Sequence, residues 1–134
     1  MASFGRTSRE RLATCDPRLQ EVLNRAIGVV DFTVTCGHRG EIDQNRAFTL
    51  GTSKARWGQS KHNSTPSQAV DIAPWPIDWE DTEAFVYLAG IIRAVSHDLG
   101  YGNTIRWGGD WDQDERMRDE RFRDYPHFEI KETS

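Results

Sequence analysis

Residues 60–74 read SKHNSTPSQAVDIAP, and the passage from polar loop to apolar run within them decides the fold. Ala69, Val70 and Ile72 form a short apolar run that Pro74 ends, the composition of a strand buried on both faces. Asp71 sits inside that run. A buried carboxylate needs a cation or several donors to stay ionised. His62 lies on the far side of a loop that Pro66 suits for doubling back, so it is a plausible co-ligand.

The matching half lies in residues 124–130, DYPHFEI. Period-two alternation puts His127 and Glu129 on one face and Phe128 and Ile130 on the other. His127 becomes a third ligand. Two His and one carboxylate, with a fourth position left for water, is the arrangement of catalytic zinc; structural zinc is normally closed by four protein ligands rich in Cys. The set implies a hydrolase. The residues alone fit a plainer reading equally well, with His62 a loop residue, Asp71 a hydrogen-bonded acceptor and His127 a packed strand residue.

A chain of 134 residues suffices for one domain with its own core and is short for a catalytic domain plus a second binding module, so residues 1–134 are expected to form one unit. The net charge of -4, with Lys and Arg spread evenly, argues against a nucleic-acid partner. No apolar stretch reaches signal-peptide length or the roughly 18–20 residues of a membrane span. A cytoplasmic monomer with no membrane insertion is expected. Cys15 and Cys36 lack Cys-x-x-Cys spacing and read as buried free thiols.

Outward from the two quoted stretches, Thr7 and Glu10 fit a capping box for a short helix. Asp16-Pro17 starts a second helix that runs to Gly28 with Leu19, Val22, Leu23, Ala26 and Ile27 on its core face. Residues 32–36 alternate as a strand, with His38 and Arg39 just past its end. Arg39 is suited to an oxyanion or a substrate carboxylate; the alternative is a surface Arg paired with Glu41 or Asp43. A helix over 42–50 carries Gln44, and Trp57 in the following loop either packs the site's wall or, the simpler reading, is core. Trp75 and Trp79 form either a substrate-facing rim or a lid over the core. A long helix capped by Asp81 or Thr82 runs to about Leu99, with His97 in its last turn. Ile105 and Trp107 alternate in a strand that turns at Gly108-Gly109. Residues 110–123 read as a solvated, ion-paired face. Asp110, Asp112 and Asp114 imitate the opening of a calcium loop, but Glu115 and Arg121 stand where an EF-hand needs Gly and Glu, which leaves only a nonstandard cation site as an alternative. The fold expected is α+β: a small antiparallel sheet with the metal site on one face and helices against the other.

At these residues the sequence resembles the zinc D-Ala-D-Ala carboxypeptidase and L-alanyl-D-glutamate peptidase family, and within it the short phage endolysins. The family's Ser-x-His and Ala-x-Asp appear as Ser60-Lys-His62 and Ala69-Val-Asp71. Its acidic residue three positions before a His appears as Asp124 and His127, and its Gly-x-Arg followed by Gln as Gly37-His-Arg39 and Gln44. The likeness runs from about Leu12 to Ile130. The loop before Asp71 is longer than the family's commonest spacing and has Pro66-Ser67 where a Gly is usual.

The resemblance implies zinc on His62, Asp71 and His127, with Asp124 and Arg39 catalytic. His38, Gln44, Ser60 and Glu129 are then substrate contacts or supports. A straight strand puts Glu129, not Asp124, beside His127; a backbone turn at Tyr125-Pro126 brings Asp124 round as the base. The implied substrate is bacterial peptidoglycan, cut at L-Ala-D-Glu after release from the host cytoplasm through a membrane pore, with no separate wall-binding domain. Two alternatives stay open, a D-Ala-D-Ala carboxypeptidase or dipeptidase and a zinc-holding wall-binding module without catalysis.

Overall fold

A computed structural model describes residues 2–118 and 123–131; Arg121 of the calcium-loop comparison lies outside them. Helix α1 (Arg6–Leu12) begins two residues earlier than the capping-box reading requires. Gly5, which has no side chain, is its N-cap, and Glu10 instead pairs with Arg6 at 3.0 Å. Helix α2 (Pro17–Ala26) is capped as its sequence predicts: the Asp16 carboxylate accepts from the Arg18 amide at 2.9 Å, and Pro17 occupies a position whose amide would have no helical partner.

Strand β1 (Phe32–Cys36) is followed by α3 (Glu41–Thr49), a 3-10 turn at Lys61–Asn63, β2 (Ala69–Pro74), α4 (Thr82–Asp98), β3 (Ile105–Gly108) and β4 (Asp124–Ile130). The strands pair antiparallel in the order β1-β2-β4-β3. The expected α+β architecture, a small antiparallel sheet with helices, is what the chain adopts. Among the described residues no helix is long and apolar enough to cross a membrane.

The period of two sorts the central strands. Val70 pairs with Phe128, and with Val34, Ile72 and Ile130 they join Leu19, Leu23 and Ile92 in one buried cluster. Each such side chain contributes about 1.5–3 kcal/mol over its exposed state. Asp71 pairs with His127 and Ala69 with Glu129, so alternation sends these polar groups to the face opposite the cluster.

Two register breaks shape that polar face. Trp107 pairs with Phe128 but Gly108 with Asp124, which leaves Tyr125, Pro126 and His127 bulged between them. A proline, with no amide to donate, suits the bulge. Gly108 is required there, because a Cβ at 108 would run into the Asp124 carbonyl oxygen. At the end of β1 the register shifts between Val34 and Cys36, and Gly37 fits against the Arg11 carbonyl oxygen and Thr14 Oγ1, where a Cβ would collide with both. Gly37→Ala is expected to destabilise the fold by about 1–3 kcal/mol through overpacking; an unchanged urea midpoint would show that this corner yields freely.

Three readings need correction. Trp57 is 40% exposed, not core, because it sits on a tight turn at the surface. Trp75 and Trp79 are both exposed, and neither rims the polar face: Trp75 borders a separate cleft with Ser3 and Phe32, while Trp79 stacks on the buried Phe85 and keeps the alternative of a lid over the core. The segment after β3 is not a wholly solvated face. Gln113 and Glu115 take left-handed backbone (φ 57° and 67°), and Asp110 is folded inward, its carboxylate accepting from the Glu115 amide at 2.8 Å. Ligand oxygens of Asp110, Asp112 and Asp114 lie within 4.8 Å of one another.

Candidate active site

The polar face opens into a cavity of about 460 Å3 whose lining includes Arg39, Ser60, His62, Asp71, Asp124, His127 and Glu129. His62 comes from the 3-10 turn, where Ser60 Oγ accepts from the His62 amide at 3.2 Å and Asn63 completes the cap. The loop carrying this turn is pinned at several points. The Arg39 amide donates to the His62 carbonyl at 2.8 Å, and at the α1–α2 corner Ser67 accepts from the Asp16 amide and donates to the Thr14 carbonyl, both at 2.8 Å. His62 is 2% exposed as a result, a fixed group rather than a loose loop residue.

Two imidazoles converge on one oxygen. His62 Nε2 lies 3.2 Å and His127 Nδ1 3.0 Å from Asp71 Oδ1. Their outer nitrogens are both engaged: His62 Nδ1 donates to the Gly37 carbonyl at 2.7 Å, and His127 Nε2 lies 2.8 Å from Glu129 Oε1. An imidazole whose outer nitrogen is held by a carbonyl or carboxylate has its ring orientation and tautomer fixed, which frees the inner nitrogen for a metal. Cys36 Sγ, a nitrogen of His62 and an oxygen of Asp71 also lie within 4.8 Å of one another. Cys36 is only half-buried, and it meets the Nδ1 side of His62, at 3.8 Å.

The charges reinforce one another. Burial opposes charge on His62, yet hydrogen bonds to Asp71 and Cys36 outweigh it and raise its pKa to about 10. His127 reaches about 9 by the same balance with Asp71 and Glu129. Burial likewise opposes ionisation of Asp71, but the two His hold it well below the usual carboxylate range. Glu129 falls to about 2 because His127 and Arg106 overcome its burial. Asp124 moves the other way, raised first by burial and then by the Asp71 charge. In the metal-free protein the two His, raised above about 6.5, stabilise the fold fully below that pH and lose the contribution as pH rises through 9–10. The two depressed carboxylates contribute above about 4 and lose it as pH falls. The metal-free Tm is therefore expected to peak between about pH 5 and 6.5 and to decline towards pH 10; a flat Tm over pH 6.5–10 would contradict this account of the cluster.

Arg39 is half-buried, with Nη1 3.1 Å from Gln44 Oε1 and Nη2 3.6 Å from Asp71 Oδ2; its guanidinium is turned to the cavity rather than to Glu41 or Asp43. Gln44 is fully buried and donates to Ser53 Oγ and the Ala55 carbonyl, so it holds Arg39 from behind. His38 is exposed and is not among the residues lining the cavity.

Arg106, Lys61 and Trp111 are among the cavity residues that sequence reasoning missed. Arg106 donates to Glu129 Oε2 through Nε at 3.0 Å and Nη2 at 2.8 Å. Its place between Ile105 and Trp107, on the face away from the core, was a readable signal. Lys61 donates to the Ile130 carbonyl and lies 3.7 Å from Glu129 Oε2. Trp111 places its ring 5.6 Å from that of His127; it follows the Gly108-Gly109 turn in irregular chain, where no periodicity could assign it a direction.

Comparison with known proteins identifies relatives of the chain. The family model described as phage L-alanyl-D-glutamate peptidase matches residues 1–131. The L-alanyl-D-glutamate peptidase of Escherichia phage T5 is 34% identical over 122 residues, covering 87% of each chain. The crystal structure of Serratia marcescens L-Ala D-Glu endopeptidase ChiX superposes with a TM-score of 0.73 at 25% identity, over 96% of this chain and 90% of that one. With the match extending from the first helix through the last strand, the chain belongs to the phage L-alanyl-D-glutamate peptidase family.

Proposed function

We propose that this protein is a zinc-dependent peptidase that hydrolyses the L-Ala-D-Glu bond of peptidoglycan stem peptides, as the lytic enzyme of a phage. The observation that carries the reading is the approach of His62 Nε2 and His127 Nδ1 to Asp71 Oδ1, at 3.2 and 3.0 Å, on the wall of a cavity. The donor chemistry fits zinc, with two nitrogens and a carboxylate and both outer His nitrogens already bonded. His127 is preferred to Cys36 as third ligand because Cys36 faces the His62 nitrogen that already donates to Gly37.

Zinc bound there supplies Lewis acidity that polarises the scissile carbonyl and brings a water's pKa to about 7. Asp124 accepts the proton of the attacking water and passes it to the departing D-Glu amine; its raised pKa suits both transfers. Arg39, braced by Gln44, faces the charge that develops on the carbonyl oxygen. Glu129 fixes the His127 ring, and Ser60 caps the turn that presents His62. His38 is left only for substrate extending past the cavity. In this reading residues 1–134 act as one monomeric unit, made in the host cytoplasm and reaching the wall through a pore opened at lysis.

The test is mass spectrometry of purified peptidoglycan after incubation with the zinc-loaded protein. New D-Glu amino termini and stem peptides released from the glycan are expected. Loss of terminal D-Ala alone, or an unchanged wall with zinc bound, would overturn the assignment.

A further inference from the structure

A second cleft, of about 400 Å3, adjoins the catalytic cavity and shares Gln59, Ser60 and Lys61 with it. Its other walls include Trp57, Ser64 and Gln68. The backbone turn that carries the aromatic ring is held in place. The Trp57 amide donates to Asn45 Oδ1 at 3.3 Å and the Gly58 amide to Asn63 Oδ1 at 3.0 Å, and Gly58 takes the left-handed backbone (φ 88°) that closes the turn. Asn63 also caps the turn that presents His62, so one side chain ties the backbone turn that carries Trp57 to the turn that carries the metal-site imidazole. A tryptophan 40% exposed on a braced turn, among amides and hydroxyls, combines an apolar face for stacking with groups that bond hydroxyls and acetamides. Pre-organisation of this kind reduces the ordering that binding must impose.

We propose that this cleft is a saccharide subsite that takes the N-acetylated amino sugar of the glycan strand. The inference rests on the L-Ala-D-Glu reading. In that substrate a single residue, L-Ala, separates the scissile bond from the lactyl amide that joins the peptide to its sugar. Whatever binds the bond must therefore have room for a sugar one residue away on the amino side, and the cleft that continues past Ser60 and Lys61 provides it. The cleft makes the enzyme a reader of the glycan–peptide junction, not of the peptide alone.

Two substrates test this with the zinc-loaded protein: an N-acetylated L-Ala-D-Glu peptide, and the same peptide carried on its natural disaccharide. Wild-type protein is expected to favour the disaccharide-peptide in kcat/KM by about tenfold, the size of one well-packed aromatic contact. Trp57→Ala should erase that preference and leave cleavage of the free peptide unchanged, and Trp57→Phe should restore part of it. Equal rates on the two substrates in wild type, or an equal loss on both in Trp57→Ala, would overturn the subsite while leaving the peptidase reading intact. Failure of the wild-type protein to cut either substrate would instead overturn the peptidase reading, and the subsite with it.

Discussion

Asp124→Ala is expected to lower kcat by about 10^2- to 10^4-fold, the usual contribution of a positioned general base, and to leave zinc content unchanged. Asp124 lines the cavity but lies outside the convergence of His62 and His127 on Asp71, so its removal takes away proton transfer and not a ligand. Its raised pKa gives a second signature. A base must be unprotonated, so activity should fall as pH drops through a value above the ordinary Asp range. That acidic limb should be absent from the residual activity of the variant. Should Asp124→Ala remain active while Glu129→Ala is dead, Glu129 is the base and the bulge at 125–127 has no catalytic purpose.

His127→Ala should lose the metal as well as the activity. The substitution removes one of two nitrogens facing Asp71 and leaves Glu129 with only its cationic partners, Arg106 and Lys61. Glu129→Gln, which keeps the ring but weakens its support, should cost about 10–100-fold in zinc affinity; His127→Ala should cost more. Competitive titration against a chelator separates the two, and Cys36→Ser serves as the control expected to bind as wild type. A His127→Ala protein that holds zinc normally, paired with a Cys36→Ser protein that does not, would transfer the third ligand to Cys36. Because the metal displaces protons from imidazoles with pKa values of about 9 and 10, zinc affinity in the intact protein should also strengthen as pH rises from 6 to 9.

The two strands that carry the cluster were legible by different signals, an apolar run in one and alternation in the other. Asp71 interrupts an apolar run, and His127 and Glu129 alternate with Phe128 and Ile130, so the strands and their inward faces followed from side-chain pattern alone. The position of Asp124 was not legible from alternation. It depends on the bulge that inserts Tyr125, Pro126 and His127 opposite no β3 residue, and only the proline hinted at it. The Thr7–Glu10 capping box failed for a local reason, since two residues of the right type do not say which residue starts the helix. The inward fold of Asp110 and the placement of Trp111 were hidden because two non-glycine residues with positive φ redirect the chain there, and neither Gln113 nor Glu115 announces that conformation.

The strand order carries a consequence for synthesis. β4 supplies Asp124, His127 and Glu129, yet it follows every other strand in the chain and fills the gap between β2 and β3. A ribosome-bound chain that has not yet produced β4 holds His62 and Asp71 but lacks His127, Asp124 and Glu129. It also carries two open sheet edges, on β2 and β3, that invite unwanted pairing. In the mechanism proposed above, the site is complete only once this last strand lies between β2 and β3, so chains that end before Asp124 are expected to leave peptidoglycan uncut.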